Sequence, residues 1–307
     1  MAGLVGKQIS HLVIKEEISR GGMGQVVRAA PKDGRGADVA LKIAHPDKVG
    51  DPFNSTALKG EVEVMRQLHS GPLQGPATVK TAPGVVKIIQ MDWERKPVYV
   101  ASAHELPGRP WYYVMEYLQG SSLAKHLDKV KSLTISDAGS VGKKVADALE
   151  QVHKAGFAHN DISPDNVLFR EVLGIGSEFQ PVLIDFGVAI KHRANEFEGI
   201  KPRYTSLEKL EVVVDGKPPE ANDPRKSDVW SLGVMLYEML TGREPFSGTT
   251  AKSVITSIRN KKPTPIRALV KESPAELDDL ILLGCFAHRP TDRPTAYEVA
   301  TRLAKYS

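Results

Sequence analysis

The chain has 307 residues, 41% hydrophobic and 25% charged, which is ordinary globular usage and enough for two lobes or two small domains. Its net charge of +4, with no long Lys/Arg run, argues against a nucleic-acid interface and for a solvated, mildly basic surface that tolerates an anionic ligand. The single cysteine, Cys285, excludes an intrachain disulfide, no charged-then-apolar leader opens the sequence and no apolar run approaches a membrane span, so a soluble, cytoplasmic chain is expected.

In chain order, Leu12-Val13-Ile14 and Ile18 read as a strand. Ser19-Arg20-Gly21-Gly22-Met23-Gly24 follows, then the β-branched pair Val26-Val27. Glycines between two strands permit a tight hairpin whose N–H groups can approach phosphate oxygens, although a plain hairpin carries the same pattern. No helix pattern follows directly, so neither a Rossmann fingerprint nor a Walker loop fits. Asp38 to Ile43 is an apolar strand with Lys42 inside it. Burying a lysine unpaired is costly, so Lys42 either has a partner or lies on the open face of its sheet. A candidate partner is Glu61. Leu58 to Leu68 reads as a helix with Leu58, Val62, Met65 and Leu68 on one face, and Glu61 at the edge of that face. Glu63 points elsewhere. Residues 70–84 and 95–109 are rich in Pro and Gly and read as long surface loops, with a strand Val85 to Ile89 between them.

Trp111 to Leu118 is an aromatic, β-branched strand, broken by Gln119 to Ser122, and a helix begins near Leu123. Ser136 to Lys154 carries Val141, Val145, Leu149 and Val152 at helical spacing and ends at Gly156. It delivers the chain to Ala158-His159-Asn160-Asp161-Ile162-Ser163-Pro164-Asp165-Asn166. The strand Val182-Leu183-Ile184 then runs into Asp185-Phe186-Gly187. These residues offer one carboxylate to orient a hydroxyl, and an Asn with a second carboxylate to hold a hard cation. Phosphoryl transfer needs those parts, because its catalysis is mostly positioning and charge neutralisation. Ser227 to Leu240 is a helix apolar nearly all round, hence a core helix, with Asp228 of a type that caps. Cys285 lies in the apolar run Leu280 to Phe286 and reads as core packing. Arg293-Pro294-Thr295 starts the last helix, with Pro294 suited to the first helical position.

Taken in order, these segments resemble a protein kinase domain from about Gly6 to Leu303. The form Ser-Arg-Gly-Gly-Met-Gly most resembles bacterial serine/threonine kinases of the eukaryotic-like type. The resemblance implies an α+β, two-lobed fold. Residues 1–117 would form a small antiparallel β-sheet lobe with one helix, and residues 118–307 a larger, mainly helical lobe. It implies ATP and Mg²⁺ as cofactors, and transfer of the γ-phosphate to Ser or Thr of a protein substrate. By matched position, Ser19, Gly21 and Gly24 form the phosphate loop. Val26, Ala40 and Leu168 enclose the adenine, with Met115 as gatekeeper and backbone groups of Glu116 and Leu118 at the adenine edge. Lys42 grips the α- and β-phosphates and is held by Glu61. Asp161 accepts or orients the hydroxyl proton, while Asn166 and Asp185 ligate Mg²⁺. Asp228 braces the catalytic loop, and Arg293 pairs with Glu208. Many such kinases carry a membrane span and an outer sensor beyond the kinase domain; neither is expected here. The oligomeric state is left open.

Five departures from the family pattern stand out, the mildest being Leu207 where the family has Pro before Glu208. Ser19 replaces the first loop glycine. Asn160 replaces the Arg before the catalytic Asp, and Ser163 replaces the Lys two positions after it. Lys201 replaces the Thr that precedes Pro202 in the activation segment. The missing Arg normally pairs with an activation-loop phosphate. Between Gly187 and Lys201 there is no Ser, Thr or Tyr, so the phosphate and its receptor are absent together. Activity independent of activation-loop phosphorylation is expected. Lys201 either supplies the charge lost at Ser163 or faces solvent. The other readings are a small-molecule kinase of the aminoglycoside or choline type, which also lacks the lysine after the Asp, and a nucleotide-binding pseudokinase scaffold.

Overall fold

A computed structural model describes residues 3–21, 24–45, 52–70, 82–93, 96–174, 176–187, 201–216 and 223–307. The chain forms two compact units: Met1–Thr81 with Val85–Leu118, and Ala82–Gly84 with Gln119–Ser307.

The first unit contains β1 (Gln8–Ile9), β2 (Leu12–Gly21), β3 (Gly24–Pro31), β4 (Val39–Ala44), α1 (Pro52–Ser70), β5 (Ile88–Ile89), β6 (Met91–Trp93), β7 (Lys96–Val98), β8 (Val100–Ser102) and β9 (Trp111–Glu116). Seven of the strands build one antiparallel sheet in the order β1-β2-β3-β4-β9-β5, with β8 also on β9. Strand alternation divides its residues between two faces. On one, Val27, Leu41, Ile43, Tyr112 and Val114 join a buried cluster with Ile9, Leu12, Ile14 and Ala29. On the other, cross-strand partners align Val26 with Lys42, Lys42 with Tyr113, and Ala40 with Met115. α1 packs on this sheet through Leu58, Val62, Met65 and Leu68, all buried. Each such side chain contributes roughly 1.5–3 kcal/mol of burial.

Three boundaries differ from the sequence reading. α1 starts at Pro52 rather than Leu58, and the strand expected over 85–89 is reduced to β5. The segment 95–109 is not one loop, because β7 and β8 lie in it. Pro97 sits opposite Asp92 in a two-stranded β6–β7 hairpin outside the main sheet, where a proline costs no central ladder bond. The companion stretch 71–81 lies outside the described residues.

The second unit contains α2 (Leu123–Val130), α3 (Ile135–Lys154), a 3₁₀ turn (Pro164–Asn166), β10 (Val167–Phe169), β11 (Pro181–Leu183), α4 (Leu207–Asp215), α5 (Pro224–Thr241), α6 (Ala251–Asn260), α7 (Ile266–Leu269), α8 (Ala275–Asp278), a π-helical turn (Asp279–Cys285) and α9 (Ala296–Leu303). α3 buries Val141, Val145, Leu149 and Val152 and packs on α5 and α9. α5 is buried on nearly every side, as its composition requires. At Gly233 a Cβ would fall 2.5 Å from Cys285 Cβ, so glycine sets the approach of α5 to the π-helical turn. Cys285 is fully buried and burial pushes its thiol up to about 12, so it is core, not a nucleophile. No helix among the described residues is long and apolar enough to cross a membrane.

Two caps fall elsewhere than the sequence suggested. Asp223, not Asp228, caps α5, accepting from Arg225 N at 3.0 Å ahead of Pro224. Pro294 precedes α9 rather than opening it. Thr295 is the cap and forms a capping box with Glu298.

Candidate active site

The first unit supplies a buried cation held by a carboxylate. Lys42 sits in the middle of β4 with β3 on one side and β9 on the other. Its Nζ donates to Glu61 Oε1 at 3.0 Å and Oε2 at 2.8 Å. Glu61 is 2% exposed and Lys42 8%, so each charge needs the other. The sheet face that carries Lys42 also carries Val26, Ala40 and Met115, which is the apolar and cationic surface expected for a nucleotide. The hairpin of β2 and β3 closes on the pair Gly21 and Gly24. A Cβ at Gly24 would lie 2.2 Å from the Ile43 carbonyl oxygen, so only glycine fits there. Ser19 pairs with Val26 in the ladder, just after a register shift between Glu17 and Ser19. The hairpin tip, Gly22 and Met23, lies outside the described residues. Glu116 closes β9: its N–H donates to Lys87 O at 2.9 Å, and its carboxylate accepts from Lys87 N at 2.9 Å. Leu118, the last residue of this unit, is buried.

The second unit organises its loop on Asp228. This α5 residue is buried, and its Oδ2 accepts from His159 N at 2.8 Å while Oδ1 accepts from Asn160 N at 2.7 Å. His153, at the end of α3, donates Nε2–H to the same carboxylate at 2.9 Å. Burial alone would raise the Asp228 pKa, but the His153 hydrogen bond and charge, with Lys209 and His159, hold it below the ordinary value. Asp228 therefore stays ionised and fixes the loop by its backbone. Asn160 adopts the left-handed conformation at φ 65°, which Asn tolerates better than most residues. His159 is fully buried, and its Nε2 faces the Ile184 carbonyl at 3.1 Å. A carbonyl only accepts, so Nε2 carries the proton.

Asp161 follows directly. Asn166 Nδ2 donates to Asp161 Oδ2 at 2.6 Å and to its carbonyl at 2.7 Å. Both partners are acceptors, which fixes the amide orientation and turns Asn166 Oδ1 the other way. Ile184 N donates to Asn166 O at 3.0 Å, bringing the end of β11 beside the loop. Asp185 comes next, at φ 64°, and accepts from Gly187 N at 3.4 Å. Leu168 lies on β10, opposite Val182. Burial raises the Asp161 pKa above the ordinary aspartate value, and Asp185 adds to this, while Lys201, His159 and Asn166 pull against it.

Lys201 reaches this loop. Its Nζ donates to Ser163 Oγ at 2.7 Å and stands 3.7 Å from Asp161 Oδ2 and 3.5 Å from Asp165 Oδ2. The Lys201 side chain is partly exposed, and its ammonium lies against these loop groups. Its backbone is fixed too: the Lys201 carbonyl accepts from Tyr204 N at 3.0 Å and Thr205 Oγ1 at 2.9 Å. Further on, Arg293 grips Glu208 with two parallel bonds of 2.7 and 2.8 Å and stacks on Trp230 at 4.9 Å. Burial would raise the Glu208 pKa, but Arg293, with backbone and side-chain hydrogen bonds at the helix start, leaves it lowered. Sequence reading missed two participants, His153 and Lys209. Neither belongs to a motif, and both meet the loop only through the fold.

Comparison with known proteins decides the family. The model of the protein kinase domain matches residues 12–303. This chain belongs to the protein kinase domain family. The kinase domain is similar to serine/threonine-protein kinase PkaA of Streptomyces coelicolor, 28% identical over 96% of this chain and 49% of that protein. PkaB of the same organism is 33% identical over 67% of this chain and 48% of its own length. A probable serine/threonine-protein kinase PknB of Bifidobacterium longum is 28% identical over 94% of this chain and 38% of its own length. The chain thus spans about half or less of these relatives. The α+β kinase fold and the family expected from the sequence are both borne out.

Proposed function

We propose that this kinase domain transfers the γ-phosphate of ATP to Ser or Thr hydroxyls of proteins, and that it does so without phosphate on its own activation segment. The observation that carries the reading is the setting of Asp161. Asn166 takes its Oδ2, Lys201 stands beside that oxygen, and Oδ1, which has no hydrogen bond among the described residues, would accept the proton of a substrate hydroxyl. The similar proteins named above are serine/threonine kinases, which supports the choice of hydroxyl.

The donor set suits the cofactors. Asn166 Oδ1 and the Asp185 carboxylate are hard oxygen ligands of the kind Mg²⁺ takes, and Lys42, fixed by Glu61, is a single cation for the α- and β-phosphates. Bound there, Mg²⁺ would neutralise phosphate charge. The chain's own residues do the rest. Glu61 holds Lys42 in place, Asn166 orients Asp161, and Lys201 places positive charge beside the base and Ser163. Met115, Val26 and Ala40 would form the adenine-facing surface of the first unit, with the backbone of Glu116 and Leu118 as its hydrogen-bonding edge. Use of ATP would place the domain on the cytoplasmic side.

Incubation with γ-labelled ATP and Mg²⁺ in the presence of mixed protein substrates tests this. Label on Ser or Thr of protein is expected. Label recovered only in small-molecule products would favour a small-molecule kinase. ATP-dependent thermal stabilisation with no transfer would favour a nucleotide-binding scaffold.

A further inference from the structure

Lys209 stands in the first turn of α4, directly after Glu208, and no motif marks it. Its Nζ donates to Asn160 Oδ1 at 2.6 Å across 49 positions of sequence. The ammonium is half-buried. Burial draws its pKa below the ordinary lysine value, while the carboxylates of Asp228, Glu208 and Asp161 oppose that loss of charge and Arg293 adds to it. Asn160 is therefore anchored twice, its N–H on Asp228 at 2.7 Å and its side chain on Lys209. The peptide it anchors leads straight into Asp161. A charge-assisted bond from a helix fixed by the Glu208–Arg293 pair makes a firm hold.

We propose that Lys209 is a positioning residue that clamps the catalytic loop to α4 through Asn160, so that Asp161 is held ready by the chain's own side chains and by no added phosphate. This rests on the reading of Asp161 as the base and deepens it by naming what replaces an external clamp. The cation comes from the helix that ends the activation segment. That helix and the loop are thereby coupled in the unmodified chain.

Lys209→Met removes the donor. Asn160→Gly removes the acceptor while keeping a residue at ease at φ 65°, so at least one of the two variants folds. Each is expected to lower kcat about 10- to 100-fold, as small misplacements of catalytic groups do, with KM for ATP within about twofold of wild type. The double variant should be no worse than the poorer single variant, because both delete the Lys209–Asn160 bond. Hydrogen exchange should quicken across 157–166 in either variant and stay unchanged across 296–303. Additive losses, wild-type kcat in both, or unchanged exchange in the loop would overturn the clamp. If wild type transferred no phosphate, the functional reading would fall and the loop's exchange alone would decide the clamp.

Discussion

The ammonium of Lys201 lies near Ser163, Asp161 and Asp165 together. A cation in that position can stabilise charge that develops on a phosphoryl group at the Asp161 side of the loop. Lys201→Ala should slow single-turnover transfer about 100-fold, the scale of losing one preorganised electrostatic contact. The variant should also change the pH profile. Asp161 must be ionised to act as a base, so activity is present above its pKa and is lost as pH falls through it. Burial already raises that pKa, and Lys201 is the largest influence lowering it. Its removal should move the acidic limb of kcat/KM to higher pH. An unmoved limb with an unchanged rate would return Ser163 to a simple loss of charge. At this scale the sequence was legible wherever a residue type is rare in its setting. A lysine within an apolar strand and an Asn five positions after an Asp are such cases, and Lys42 and Asn166 were found this way. Lys209 was illegible because a lysine at the start of a helix is unremarkable until the fold brings Asn160 to it.

Among the elements, α5 carries the most weight. It presents Asp228 to the catalytic loop, Ser231 Oγ to the Tyr204 carbonyl at 2.8 Å, and Trp230 to the Arg293 guanidinium. The Glu208–Arg293 pair then ties the start of α4 to the chain ahead of α9. Arg293→Met would leave a buried carboxylate without its partner and should cost about 3–5 kcal/mol of stability, read from denaturant unfolding. The pH dependence follows from the direction of the Glu208 shift. Its folded pKa is depressed, so the pair's contribution is fully present above the unfolded carboxylate pKa and is lost as pH falls through the lower folded value. The gap between wild type and Arg293→Met should therefore narrow on acidification below the ordinary glutamate range. The helices with long apolar periodicity, α3 and α5, were readable because burial on a known face demands that pattern. Their ends were not. Asp223 and Asp228 are equally good caps by type, and only the helix starting at Pro224 distinguishes them. β7 and β8 were hidden because Pro97 and Pro107 suggested a loop, whereas short edge strands accept proline.

For the whole molecule, the proposed clamp sets the Lys209–Asn160 bond beside the absence of Ser, Thr and Tyr between Gly187 and Lys201. Residues 188–200 themselves lie outside the described residues. Treatment with a phosphatase should leave the activity within about twofold of untreated protein, since no Ser, Thr or Tyr lies between Gly187 and Lys201 and the proposed clamp holds the loop from α4. A loss of activity that tracks phosphate removed from the activation segment would refute this. The two-unit kinase architecture was legible because its motifs fall in one order along nearly the entire chain, from the glycine hairpin to Arg293. What the order could not convey was how the departures at Asn160, Ser163 and Lys201 fit together, since that depends on contacts 38 and 49 positions apart. The proposed transfer depends most directly on Asp161. Single-turnover transfer from labelled ATP to a protein substrate, compared between wild type and Asp161→Asn, should show label on Ser or Thr that falls by about 10²–10⁴-fold in the variant. Equal transfer by both proteins would contradict it.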